Sequence, residues 1–532
     1  MLQSKLGRSL VFGLSILAGQ AHVTSTGLAQ QQPKRGGTLV FGINSGDPPT
    51  YDCHQSTLFP IIHLLSPHYS NLLRIDLENY PKLVGDLAES WTVSDDLKTY
   101  GFRLRSGVKF HDGSPFSAED IKATYERIRT PPPGVVSVRQ GLVADIDSIE
   151  TPDPLSVIFH LKRANRTLLY AFANPFNCVF SAVRLKENPV FPARTVLGTG
   201  PFRFVEHVAG AHWKGERFKD YFRPHLPYLD GFHAIFTQGP ALINALQGGQ
   251  IMADFRSVTA VDRDRLVGAL GNKITVQESP WLNLLLITFN TKKKPFDDAR
   301  VRLALSLAID RWKAAEVLPR STIMRYVGGY VRPGFELAAT EADLEKMPGF
   351  SKNIEASRTE ARRLLAQAGV PNLKIKLTNR TIANLFTGGG VYVIDQWRQI
   401  GVETEHFQAN DVLYNTALNE GTFDVALSFQ GDSVDEPTYQ LARYLSVEQS
   451  SNQGKYSDRE LDRLFELQKD AIDARQRYAL LRQFETRMLT EAYSVPLLWW
   501  QRIVVMSAKV KGWQMSPSHL IGQDLEQIWL EP

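Results

Sequence analysis

The sequence predicts a mixed α/β protein built from several domain-sized units. Three observations carry this. Strand-like and helix-like segments alternate along the chain, and the 532 residues correspond to roughly three domains. The composition, 43% apolar and 22% charged, is that of an ordinary globular protein and excludes a disordered or collagen-like chain. Lys plus Arg number 60 against 56 Asp plus Glu, a formal charge of +4, too small and too dispersed for a nucleic-acid footprint. No internal run reaches the roughly 18 apolar residues of a membrane span. Two cysteines make neither a disulfide scaffold nor a four-ligand zinc site.

The elements follow in chain order. Lys5 and Arg8 precede an apolar stretch, Ser9 to Gly19, and small residues lead to Gly27-Leu28-Ala29. This is the pattern of a secretory signal peptide, residues 1–29, with cleavage expected after Ala29. No Cys follows the stretch to accept a lipid anchor, so the expected location is the periplasm of a Gram-negative cell. An oxidising compartment permits a Cys53–Cys178 disulfide, but whether their Cα atoms lie within ~7 Å stays open at this level.

Thr38–Ile43 reads as a strand, ended by the turn residues of the Ser45–Asp52 loop. Asn71–Ile75 is a second strand, residues 91–104 a hairpin of period two, and Val108–Phe110 a further short strand. Ser117 followed by Glu119 and Asp120 predicts a helix over 118–129, stopped by three prolines from Pro131. Val301, Ala304, Leu305, Ala308 and Trp312 predict one helix over 297–318. Ser357-Arg358-Thr359-Glu360 and Ser457-Asp458-Arg459-Glu460 read as capping boxes for later helices, the second opening two or more helices up to Glu491. Val495–Trp500 and Ile503–Met506 form a β-rich exit.

Catalytic and metal motifs fail on geometry. His111-Asp112-Gly113-Ser114 holds the residue types of a triad, but neighbours in one tight turn cannot converge on a shared nucleophile. His63 and His68 have half-site spacing for zinc without a matching partner pair. Gly198-Thr199-Gly200 lacks the Lys-Ser/Thr of a phosphate loop, and no G-x-S-x-G elbow occurs. Gly388-Gly389-Gly390 reads as a flexible break. No catalytic residue, metal site or cofactor is expected.

Six ordered blocks carry a resemblance. They are Gly36–Val40; Leu87–Tyr100 continuing through Phe102–Gly113; Gly198–Phe202; Phe289-Asn290-Thr291 with Pro295–Ala304; Leu364–Gly369; and Trp397–Val402. Over about residues 36–510 the chain thereby resembles the family 5 extracellular solute-binding proteins of ABC importers for peptides, nickel and related solutes. The resemblance implies a two-lobed periplasmic binding protein (Venus-flytrap) fold of the peptide-binding type, with an extra subdomain inserted in the first lobe. Its implied boundaries are a first lobe at 30–282 with the insertion at about 76–196, a second lobe at 283–499, and a return to the first lobe over 500–532. A monomer that binds a small molecule or peptide and meets a membrane permease is implied, without enzymatic activity.

In peptide-type members an acid after a strand and an aromatic holds the ligand's ammonium, and Phe429-Gln430-Gly431-Asp432 lies at that position. A basic residue upstream of the family Trp falls on Arg380, where a guanidinium could grip a carboxylate. The implied ligand-binding residues are Asp432, Arg380, Phe429, Trp281, Asn290 and Trp397, with the Ser45–Asp52 loop as a further wall element. The alternative is that Asp432 and Arg380 serve loops or pair with each other. Asp435 and Glu436, close to Asp432, would favour a cationic solute. Three readings stay open: a peptide or amine-bearing solute receptor, a nickel-complex or oligosaccharide receptor, and a secreted hydrolase.

Overall fold

The computed structural model describes residues 32–446, 452–471 and 473–532. The signal-peptide expectation, residues 1–29, lies outside them. Among the described residues no helix is long and apolar enough to cross a membrane.

Three sheets organise the chain. The first has the order Thr38–Ile43, Gly231–Phe236, His212–Arg217, Phe202–Val208, its first pair parallel and the others antiparallel. The second is an antiparallel four-stranded sheet, Ala88–Val93, Thr99–Leu104, Ser156–Leu161, Ile146–Asp153. Helix Ala118–Arg129 covers it, closing an aromatic core of Phe102, Tyr125, Phe159 and Phe172 in edge-on and tilted contacts. The third sheet is six-stranded and mixed, in the order Met324–Tyr326, Ser494–Ser507, Ile274–Phe289, Val425–Gly431, Lys374–Arg380, Glu403–Ala409.

Two long antiparallel strands join these layers. Ile274–Pro280 pairs with Gln501–Ser507, and Ala253 bridges Met506 to Phe41 of the first sheet. Beyond Pro280, which has no N–H for the ladder, the register shifts twice before Leu286. From there Leu285 and Ile287 face one apolar core and Leu284 and Leu286 another, the alternation of a strand buried on both sides. Val504 and Met506 belong instead to the core of the first sheet. The same strand pair therefore serves separate cores, with an irregular stretch between them.

Local expectations divide by whether a cap was read. Helix 118–129 forms with its predicted bounds because Ser117 and Asp120 close a capping box. The single helix expected over 297–318 is two, Ala299–Leu307 and Arg311–Val317, because the Asp310 side chain caps a new start on the Lys313 N–H. The helix expected from Ser357 starts earlier, at Ile354, capped by Asn353. Residues 108–110 make only an isolated bridge, Lys109 to Pro115, and no strand. Residues 388–390 are no flexible break but open helix Gly388–Arg398. A Cβ on Gly390 would come within 2.5 Å of the Asn379 amide and 2.6 Å of the His406 ring, so glycine permits the helix to lie against the sheet.

Cys53 and Cys178 form a disulfide, with Cα atoms 6.1 Å apart, across 125 residues of chain. Both are fully buried. Closing so long a loop restricts the unfolded chain, so the Cys53→Ser/Cys178→Ser double variant is expected to lose about 2–5 kcal/mol of stability. Thermal unfolding of parent and variant in non-reducing buffer checks this.

Candidate functional site

A cavity of about 550 Å³ opens where the third sheet meets the segments carrying residues 57–59, 138–142 and 174–176. Phe59, Phe176, Phe429 and Tyr444 supply aromatic wall, and Thr288, Ser428, Asn452 and Gln453 supply neutral polar groups. Asp432, at the exit of strand Val425–Gly431, lines it, as do Arg139, Arg443 and His519. The two sides are tied at the rim: Tyr80 donates to Asp435 (2.9 Å), Asn174 to Ser433 (3.2 Å) and Tyr439 to the Thr167 carbonyl (2.7 Å).

Asp432 is partly buried, with few direct partners. Its carboxylate accepts the Ser433 N–H at 3.0 Å, and no cation stands within 4 Å of it among the described residues. Burial raises its carboxyl above the ordinary range, against the opposing pull of Arg443, the Ser433 N–H and Arg139. Arg139 donates to the Ser56 carbonyl (3.1 Å) and lies 4.1 Å over the Phe176 ring, where burial lowers its guanidinium to about 10. Arg443 donates to the carbonyls of Phe429 (2.9 Å) and Gly431 (3.4 Å). Those bonds fix the strand end from which Asp432 projects.

The other expected ligand residues are dispersed. Phe429 is 42% exposed and lines the cavity, packed on Trp500. Trp281 is buried behind the wall, its indole N–H donating to His519 at 3.2 Å; it supports a lining residue and does not itself line the cavity. Arg380 lies outside, paired with Asp411 at 2.8 Å and set over Phe386 and Tyr414, which is the loop role that was its alternative. Asn290 and Trp397 require correction as ligand contacts. Asn290 is buried, donating to the Gly421 and Phe423 carbonyls and accepting the Lys292 N–H. Trp397 is fully buried and donates to the Leu305 carbonyl, so both are spent on the fold. The Ser45–Asp52 loop is likewise occupied elsewhere, Asp47 with His207 and Asp52 with Arg127.

The case for a cationic solute also changes. Asp435 is held by Arg332 at 2.8 Å, and Glu436 by Arg477. Neither adds free negative charge to the cavity. Arg139 and Arg443 escaped sequence reasoning. Arg443 shares a segment with Asp432 and could have been flagged by it, whereas Arg139 comes from a distant loop with no local signal.

A second cavity, of about 630 Å³, lies beside Arg74, Asp86, Arg223 and Glu526. Four of its charges pair with one another: Arg223 with Asp86 (2.6 Å) and Glu526 (2.8 Å), and Arg74 with Glu526 (2.5 Å), while Tyr221 donates to Glu526 (2.6 Å). His63 and His68 donate to the His519 and Phe202 carbonyls and are not brought together on a metal. Among the described residues no three His, Cys, Asp or Glu side chains form a metal-binding group.

Comparisons with known proteins agree with this architecture. The chain is 30% identical over 311 residues to the glutathione-binding protein GsiB of Escherichia coli K12, the match covering 57% of this chain and 56% of that protein. It thus spans about half the length of the curated relatives it matches. Among solved structures it resembles the ABC transporter-associated periplasmic binding protein DppA of Helicobacter pylori in complex with the peptide STSA. That likeness has a TM-score of 0.79 at 23% identity, covering 94% of this chain and 99% of that one. The substrate binding protein CtaP of Listeria monocytogenes gives a TM-score of 0.80 at 21% identity, covering 93% and 100%. These two likenesses establish the two-lobed fold. Residues 82–452 match the model of the bacterial extracellular solute-binding proteins, family 5, and the chain belongs to that family.

Proposed function

We propose that the protein is the periplasmic receptor of an ABC importer, a monomer exported by its cleaved signal peptide, that captures a small peptide-like solute between two lobes. Asp432 is the observation that carries this reading. A carboxylate at a strand end, in a two-walled cavity and without an ion-pair partner, offers a charge-assisted bond to a ligand ammonium. The cavity volume falls in the range for small ligands. The name of the aligned GsiB, a glutathione-binding protein, points to the same class of compound.

In this reading the lobes change at 282/283 and 499/500, and the irregular stretch between Pro280 and Leu284, opposite Trp499–Gln501, supports it. The register shifts there interrupt the ladder between the two long strands, a local weakness that suits a hinge. The inserted subdomain corresponds to the four-stranded sheet with its covering helix. Closure presents one lobe surface to the permease.

Native mass spectrometry of protein purified from periplasm without refolding tests the assignment. An amine-bearing peptide-like compound is the expected passenger. A sugar or a metal complex recovered in its place would overturn it, and turnover of a chromogenic ester or amide panel would establish the hydrolase.

A further inference from the structure

Among the described residues the acidic and basic side chains lining the cavity are Asp432, Arg139, Arg443 and His519. Among the described residues no carboxylate stands within 4 Å of either guanidinium. A guanidinium carries five N–H donors. Arg139 spends one bond on a backbone carbonyl, and Arg443 spends two while its Nε–H has no partner. Asp432 lies near enough to feel both cations, yet burial outweighs their combined effect on it, so neither is neutralised by a close pair. His519 is kept neutral, since burial and the neighbouring Arg256 and Arg502 hold its imidazolium form far out of reach. Among the described residues two cations and one anion thus face the same space, an excess of one positive charge.

Their placement matters as much as their sum. Arg139 comes from the segment after the prolines at 131–133, and Arg443 from the short turn Ala442–Tyr444 behind Asp432. They approach from opposite walls. When the walls meet around a neutral zwitterion, its one carboxylate serves one arginine and leaves the other desolvated and unpaired, which costs free energy. A cationic peptide fares worse. Selection against the wrong charge is therefore built into the walls, with no steric filter required.

Resting on the receptor reading above, we infer that the cavity selects a solute carrying one ammonium and two carboxylates, net charge −1. Asp432 takes the ammonium, and Arg139 and Arg443 take one carboxylate each. The second carboxylate draws the walls together, because each arginine belongs to a different wall.

Calorimetric titration of the full chain tests this with three probes: reduced glutathione (one ammonium, two carboxylates), its glycyl monoethyl ester (one carboxylate fewer) and trialanine (a neutral zwitterion). The diacid is expected to bind about thirtyfold or more tighter than either comparison, the effect of leaving one enclosed charge unpaired. Arg139→Met should remove most of that preference, narrowing the gap between the diacid and trialanine to within about threefold. Arg443 also holds a strand end, so Arg443→Lys, which keeps the charge, accompanies Arg443→Met; retained preference in the lysine variant and its loss in the methionine variant is the expected pair. Trialanine binding the parent as tightly as the diacid would overturn the charge selection while leaving the receptor reading intact. Absence of binding by all three probes would overturn both.

Discussion

Asp432→Asn is expected to weaken binding of an amine-bearing solute by about 2–5 kcal/mol, because removing one member of an enclosed charge pair leaves the ligand ammonium unpaired. At about 1.4 kcal/mol per decade this is roughly thirtyfold to several thousandfold in Kd. The fold should survive, since the carboxylate's one direct bond is to its neighbour's N–H. The effect has a pH signature. In the free protein burial raises the Asp432 carboxyl, so on acidification it takes up a proton at a pH above the ordinary carboxylate range. Affinity for an ammonium is then lost as pH falls through that raised value, whereas the Asn variant is flat over the same window. Calorimetry across pH, with the free ligand and an amine-acetylated form, reads both effects. Equal Kd values for parent and Asn variant would remove Asp432 as the anchor.

Arg332→Met is expected to destabilise the protein by about 3–5 kcal/mol. Arg332 and Asp435 form a buried pair at 2.8 Å, with side chains 7% and 0% exposed. Removing the guanidinium strands a fully buried carboxylate whose remaining close partners are the hydroxyl and amide donors of Tyr80 and Gln440. Asp435 is thereby also the group through which the Tyr80 loop grips the opposite wall. The double variant Arg332→Met/Asp435→Leu should recover much of the loss, since it removes both charges. Urea unfolding of the parent and both variants measures this. A single variant as stable as the parent would show that the pair contributes nothing to holding the walls.

What the sequence disclosed follows the range of the interaction involved. Helix 118–129 was legible to its ends because Ser117, Asp120 and the prolines that follow are local determinants. The break at Asp310 was equally local, but the apolar spacing runs through it, and periodicity concealed a cap that was present. Gly388–Gly390 was misread because its reason is tertiary: Asn379 and His406, on two other strands, come too close for any side chain. The site shows the same division. Asp432, singled out by its position after a strand and an aromatic, lines the cavity. Arg139 could not be found, because its relation to Asp432 exists only once the Phe176 ring and the Ser56 carbonyl hold it in place. Asp435 and Glu436 illustrate the opposite error, charges visible in sequence whose neutralising partners, Arg332 and Arg477, lie far along the chain.

Capture of a solute between two walls is the central claim, and small-angle X-ray scattering with and without saturating ligand tests it most directly. Ligand joining Asp432 to the opposite wall favours the closed arrangement by mass action. The predicted result is a smaller radius of gyration on binding, accompanied by a higher melting temperature. A scattering curve unchanged at saturation by a ligand whose binding is independently confirmed would contradict capture by closure.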